Sequence, residues 1–173
     1  HLYARRQRQM CIRDRSAYSF FTLYANIDDY QATFISDPSN TLDKYILAKT
    51  HQLVTNVTDH MEKYDLPGAT NEIRGFIDAL NNWYIRRSRD RFWSPAKPVH
   101  DNDKQDAYDT LFTVLHTLCK LSAPFLPMVS EEIFKGLTKE LSVHEAEWPL
   151  PQEFPSDSDL VERMDLVRLS LIH

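Results

Sequence analysis

The sequence predicts an all-α fold, an antiparallel helical bundle. Three observations carry that prediction. Apolar residues recur at spacings of three and four through most of the chain, the period of one helix face. Glycine occurs only at Gly68, Gly75 and Gly136 in 173 residues, too sparse for a turn-rich β fold or a Gly-rich phosphate loop. Prolines fall between the periodic stretches, where short connectors between antiparallel helices are needed. Neither an internal repeat nor a βα alternation is visible.

Taken in order, residues 1–16 are basic and nearly aperiodic, with arginines at 5, 6, 8, 13 and 15. They read as a disordered basic arm, as a nucleic-acid tail, or as a non-native segment. The last reading also covers 169–173, because both ends resemble translated adapter sequence. Tyr18 to Tyr30 is dense in aromatics, and Phe20, Phe21, Tyr24 and Ile27 recur as in a short buried helix. Asp37-Pro38-Ser39-Asn40 marks a turn, after which Thr41 can cap a helix. Leu42, Ile46, Leu53, Val57 and Met61 form the first long stripe, broken at Tyr64-Asp65-Leu66-Pro67-Gly68. Ile73, Phe76, Ile77, Leu80 and Tyr84 form the second, which ends at Ser94-Pro95-Ala96-Lys97-Pro98. Tyr108, Leu111, Phe112, Leu115, Leu118 and Cys119 form the third. A fourth helix starts at or near Pro127, where proline is tolerated in the first turn. Ser142 to Pro149 is a short extended segment after the fourth helix, with Trp148 as its expected anchor. Asp157 to Arg168 begins a fifth helix that is cut short.

Composition narrows the function classes. Net charge is −5 and hydrophobic residues make up 42% of the chain, ordinary values for a globular protein. No apolar run approaches the roughly 20 residues that span a bilayer, so no membrane is expected. Cys11 and Cys119 have no metal-ligand spacing and suggest no disulfide scaffold, so a reducing, cytoplasmic setting is the default.

Against that acidic background, Asn81 to Trp93 (NNWYIRRSRDRFW) carries Arg86, Arg87, Arg89 and Arg91 against Asp90 alone, with aromatics on either side. Guanidinium forks grip phosphates and aromatic faces stack on unpaired bases, so a basic, aromatic helix is an electrostatic footprint for RNA. On one helix Arg86 neighbours Arg89, and Arg87 neighbours Arg91 with Trp83 a turn below. Four phosphate contacts would give an RNA salt slope of about −3, a supporting contact and not a tight complex. The residues alone leave three readings open: RNA contact, a docking face for another domain, and a solvated helix.

The same thirteen residues strongly resemble the anticodon-binding domain of the isoleucyl-tRNA synthetase family, a branch of the class I synthetases. YSFFTLYANID is similar to that family's exit from the catalytic domain, and LDKYILAKTHQLVTNVTDHMEKYDL to its first bundle helix. YDTLFTVLHTLCKLSAPFLPMVSEEIF resembles a helix pair shared with valyl and leucyl relatives, and SVHEAEWP the segment after it. The resemblance implies an exit segment at 17–38 and an anticodon-binding bundle, truncated, at 39–168. It implies tRNA for isoleucine and the catalytic domain of the same parent chain as partners, with Trp83, Arg86, Arg87, Arg89 and Arg91 as tRNA-binding residues. It also implies ATP-dependent charging of tRNA with isoleucine in translation, with ATP and magnesium used elsewhere in the full enzyme. No H-x-G-H or K-M-S-K-S string occurs here, so the chain reads as a fragment without the adenylation and editing sites, with no catalytic residue and no cofactor of its own. The competing expectation is a protein–protein docking module whose arginine helix binds an acidic partner.

Other polar residues read as structural. His51, His60, His100, His116 and His144 lack ligand spacing, so no metal is expected. Glu131-Glu132 near a helix start reads as capping electrostatics, and Asp101, Asp103, Asp106 and Asp109 as a solvated face around a helix N-terminus.

Overall fold

The computed structural model of the chain describes residues 2–95 and 98–170, with the side chains of 2–12, 14 and 99 outside that description. The expectations placed on His1, on 171–173 and on the Cys11 thiol therefore lie outside the described residues. Among the described residues seven α-helices run in chain order: α1 (Leu2–Asp28), α2 (Thr41–Glu62), α3 (Leu66–Ala79), α4 (Arg86–Trp93), α5 (Asn102–Ser122), α6 (Pro127–Leu137) and α7 (Ser158–Ser170). A π-helical turn, Leu80–Ile85, joins α3 to α4 without a break in helical backbone. No strand occurs among the described residues. The all-helical bundle is as the periodicity predicts.

α2 and α5 form the centre, with α3 and α7 against α2 and with α4, α6 and the last part of α1 against α5. One apolar core joins Ile46, Leu53 and Val57 of α2, Ile73, Phe76 and Ile77 of α3, and Tyr108, Leu111 and Leu115 of α5. A smaller cluster, Cys119, Ala123, Ile133, Phe134 and Val143, lies under α6.

Two local expectations shift. The first is the cap of α2: Asn40, not Thr41, accepts the Leu42 N–H at 2.9 Å. The second is the aromatic segment, which belongs to a helix far longer than its own pattern, running unbroken from Leu2. Its buried stripe is Ala17, Phe21 and Ala25, while Ile27 is 69% exposed. Ala17 and Ala25 let α1 approach closely, and Gly136 serves the same end on α6, where a Cβ would collide with the Tyr18 phenol. Close to the basic end, Arg13 pairs with Asp78 at 3.1 Å and Arg15 with Glu132 at 2.8 Å, both at the surface. Trp148 does anchor the segment after α6, donating its indole N–H to Thr58 Oγ1 at 2.9 Å. Only its end is extended; Val143–Glu145 is a turn. Glu131 holds that turn, accepting from Ser142 Oγ and the Val143 N–H and pairing with Lys135. The Lys135 and Val143 hydrogen bonds pull its carboxyl down to about 2, so its role is a loop clamp more than the helix-start electrostatics expected.

The acidic run of α5 also departs from expectation. It is a rack for the strap 29–40 that links α1 to α2, not a solvated face. Asp109 accepts the Thr33 N–H at 2.8 Å and the Tyr30 hydroxyl at 3.1 Å, and Thr113 Oγ1 accepts the Ile35 N–H at 3.0 Å. Asp106 accepts from Ser39 N and Oγ at 2.9 and 2.8 Å. Backbone N–H groups of an irregular segment need partners, and these side chains supply them.

The turn between α2 and α3 folds α3 back along α2. The Asp65 N–H reaches the His60 carbonyl at 2.8 Å and the Tyr64 N–H reaches Met61 at 3.1 Å, a Schellman motif. Tyr64 occupies its left-handed position with φ 58° and is 91% exposed, so its side chain adds little and its Cβ is strained. Tyr64→Gly is expected to raise stability by up to about 1 kcal/mol, read by urea denaturation.

His116 of α5 lies among rings, 5.1 Å from Phe134 and 5.3 Å from Phe34. Burial, with Lys120 nearby, lowers its pKa from 6.5 to about 4. The folded state therefore keeps a neutral imidazole while the unfolded chain takes up a proton. Stability is expected to fall by about 1.4 kcal/mol per pH unit as pH drops from 6.5 towards 4. Comparing denaturation of wild type and His116→Phe across that window isolates the effect, since the variant lacks this component.

Candidate nucleic-acid interface

The basic helix is the continuation of α3. Ile73, Phe76 and Ile77 of α3 face the core, and the π turn keeps Leu80, Trp83, Tyr84 and Ile85 buried in sequence. A π turn is wider than an α turn, so it resets which side of the helix faces outward beyond it. α4 then turns Ser88 and Phe92 inward, and Phe92 packs edge-on against Phe20 at 5.1 Å and Tyr108 at 5.0 Å.

This phase separates the five residues expected to meet RNA. Arg86, Arg87 and Arg89 are exposed and have no carboxylate partner among the described residues. Trp83 is different: only 7% exposed, its ring lies in the core with the Arg87 guanidinium 3.9 Å above it. The expected stacking face is thus covered by a cation–π contact.

Arg91 also departs from the expectation. It forks onto buried Asp43, Nη1 to Oδ1 at 2.8 Å and Nη2 to Oδ2 at 2.6 Å. Its Nε donates to Asp103 Oδ2 at 2.8 Å and Nη2 to the Asp103 carbonyl at 2.8 Å. The Tyr84 hydroxyl completes the set, donating to Asp43 Oδ1 at 2.7 Å. Burial alone would lower the Arg91 pKa, but the hydrogen bonds and charge of Asp43 outweigh it and raise the value. Arg91 therefore remains cationic, with four of its five N–H donors occupied inside the protein.

The aromatic residue that α4 does offer is Trp93, 54% exposed and tethered by its indole N–H to the Tyr24 hydroxyl at 2.6 Å. At about 100° per residue, Arg86, Arg89 and Trp93 fall within about 60° of one another, with the strip centred about 110° round the helix from the buried pair Ser88 and Phe92. Two free guanidiniums and one open ring thus share a strip, the groups needed to hold phosphate and stack a base. The spacing i, i+3, i+7 was legible in the sequence; which tryptophan faces outward depends on the π turn and was not. Asp43 had a signal too, since an acid in the first turn of α2, one turn before Ile46 and Leu47 of its apolar face, needs a partner if it is buried with them.

Residues 43–170 match the family described as the anticodon-binding domain of tRNA ligase. The chain belongs to that family. Its relatives include isoleucine–tRNA ligases of Corynebacterium efficiens, 48% identical over 153 residues, Tropheryma whipplei, 47% over 156, and Mycobacterium tuberculosis, 46% over 161. These alignments cover 88%, 88% and 93% of this chain. The chain spans 14% of the length of each of these relatives. In this anticodon-binding domain no group of three or more His, Cys, Asp or Glu side chains could hold a metal ion among the described residues. None of its described helices is long and apolar enough to cross a membrane.

Breaking the Arg91 fork leaves a buried charge unpaired. Asp43→Ala and Arg91→Ala are each expected to cost about 3–5 kcal/mol of stability. Asp103→Ala, at a half-exposed carboxylate, is expected to cost about 1 kcal/mol or less. Chemical denaturation of the three variants gives the ranking.

Proposed function

We propose that the α4 strip formed by Arg86, Arg89 and Trp93, with Arg87 beside it, meets the anticodon arm of an isoleucine tRNA. The carrying observation is the pair of exposed, carboxylate-free guanidiniums beside an exposed indole on a rigid helix in a chain of net charge −5. Guanidiniums neutralise phosphates, and the ring offers a π face to an unpaired base. In this reading the chain is the RNA-holding part of a cytoplasmic isoleucine–tRNA ligase. The parent's catalytic domain, using ATP with magnesium, attaches isoleucine to the far end of the same tRNA. Leu23 and Ile27, exposed on α1, are the apolar surface through which that domain is met. Trp83 and Arg91 support the strip from beneath and do not touch RNA.

The test is a titration of the 173-residue chain with isoleucine tRNA and with the same tRNA carrying a changed anticodon, at several salt concentrations. Arg86→Glu/Arg89→Glu is expected to weaken binding and to flatten the salt slope by roughly 1.5, the share of two phosphate contacts. Trp93→Ala is expected to cost about 1–3 kcal/mol of binding, the worth of one stacked base. Affinity indifferent to the anticodon, to Trp93 and to the charge reversal would return the strip to the alternative, a docking face for an acidic protein.

A further inference from the structure

Asp103 has the wrong charge for a nucleic-acid face, yet it holds Arg91, the α4 residue that ties that helix to α2 and α5. Its Oδ2 accepts from Arg91 Nε at 2.8 Å and its backbone carbonyl from Arg91 Nη2 at 2.8 Å. Its Oδ1 accepts from Asn40 Nδ2 at 3.0 Å. Asn40 in turn caps α2, whose first turn carries Asp43, the other carboxylate on Arg91. Asp103 itself lies in the first turn of α5, where Asp101 caps the helix. One carboxylate thus joins the end of the strap, the start of α5 and the end of α4.

α4 needs such a fixture. It has eight residues and follows a π turn, and at its end the Lys104 ammonium donates to the Ser94 carbonyl at 2.8 Å. Phe92 packs in the core against Phe20 and Tyr108, and the Arg91 fork ties the neighbouring side of α4 to α2 and α5. Arg89, Arg91 and Trp93 alternate along the last turn, so any swing of Arg91 moves the strip with it.

We infer that Asp103 is a positioning residue for RNA binding: through Arg91 it holds Arg86, Arg89 and Trp93 at one rotation about the α4 axis. This rests on the proposed RNA-binding role of the strip. It goes further by assigning a favourable part to an acidic residue, and electrostatics and positioning then predict opposite signs. If Asp103 mattered only as a charge near phosphate, neutralising it would tighten RNA binding. As a positioning residue, its neutralisation loosens binding. Asparagine at this position offers one acceptor and one amine where Arg91 and Asn40 both donate, so one of the two contacts is lost.

The experiment titrates the 173-residue chain, as wild type, Asp103→Asn, Arg91→Lys, Asp90→Asn and Arg86→Glu/Arg89→Glu, with isoleucine tRNA. Temperatures stay well below each variant's Tm, so that only folded protein is read. Asp103→Asn is expected to weaken binding by up to about fivefold through lost preorganisation, with the salt slope unchanged. Arg91→Lys, which keeps the charge but not the fork, is expected to behave alike and serves if Asp103→Asn does not fold. Asp90→Asn, an exposed aspartate on the strip, is expected to tighten binding slightly. Tighter or unchanged binding by folded Asp103→Asn overturns the inference while Arg86→Glu/Arg89→Glu still weakens binding. If that charge reversal leaves binding unchanged, the RNA reading of the strip falls as well, and with it the role of Asp103.

Discussion

The Arg91 fork is the interaction on which the proposed RNA-binding face depends. Two helices begin beside it: α2 brings Asp43 and α5 brings Asp103, each in its first turn. Helix N-termini carry partial positive charge, so acids there are favoured even before Arg91 arrives. The guanidinium then sits between two carboxylates with four hydrogen bonds from 2.6 to 2.8 Å. Such a buried pair is a poor source of stability, because desolvation offsets most of the Coulomb gain and apolar replacements often serve as well. What an apolar contact cannot supply is angular definition. A guanidinium fork on a carboxylate is satisfied at one orientation, whereas Phe92 against Phe20 and Tyr108 tolerates rotation.

α1 and its strap complete the support. Phe20 and Tyr24 pack on Phe92, and Tyr24 holds the Trp93 indole. Asp28 pairs with the buried Lys104 at 2.7 Å and accepts from Tyr108 at 2.6 Å, which seats the end of α1 on α5. Asp106 and Asp109 then lace the strap onto the same helix. The aromatic segment expected to form a short buried helix is thus mostly spent inside this domain. Leu23 and Ile27 remain outside.

What could be read from the chain, and what could not, follows from how local each cause is. The apolar stripes of α2, α3 and α5 depend on residues three and four apart, and Ile46, Leu53, Phe76 and Leu111 are buried as their spacing requires. The break at Tyr64 and the start at Pro127 are likewise matters of a few neighbouring residues. Rotational phase beyond Leu80 was not local in that sense. A single π turn makes Trp83 a core residue and Trp93 a surface one, although both stand beside arginines in the same motif. Pairings between distant acids and bases were equally hidden. Nothing near Arg91 in sequence distinguishes it from Arg89; the distinction lies in Asp43, 48 residues earlier. The run Asp101 to Asp109 looked solvated because its partners sit in the strap 29–40.

The weakness of the proposed contact explains why rigidity matters. Two exposed arginines at about 0.7–0.9 of a released counterion each supply a small part of what a protein making six to ten phosphate contacts obtains. Affinity on that scale does not select an RNA. A modest contact can still discriminate if it is offered in one geometry, because a mispositioned partner then loses the ring and the phosphates together and the protein does not adjust. The carboxylates beneath α4 give it that fixed geometry. Asp43 is turned inward, where Arg91 balances its charge, and half-exposed Asp103 shares the same guanidinium, so the hydrogen bonds of both acids bear on the direction of the arginines that remain outside.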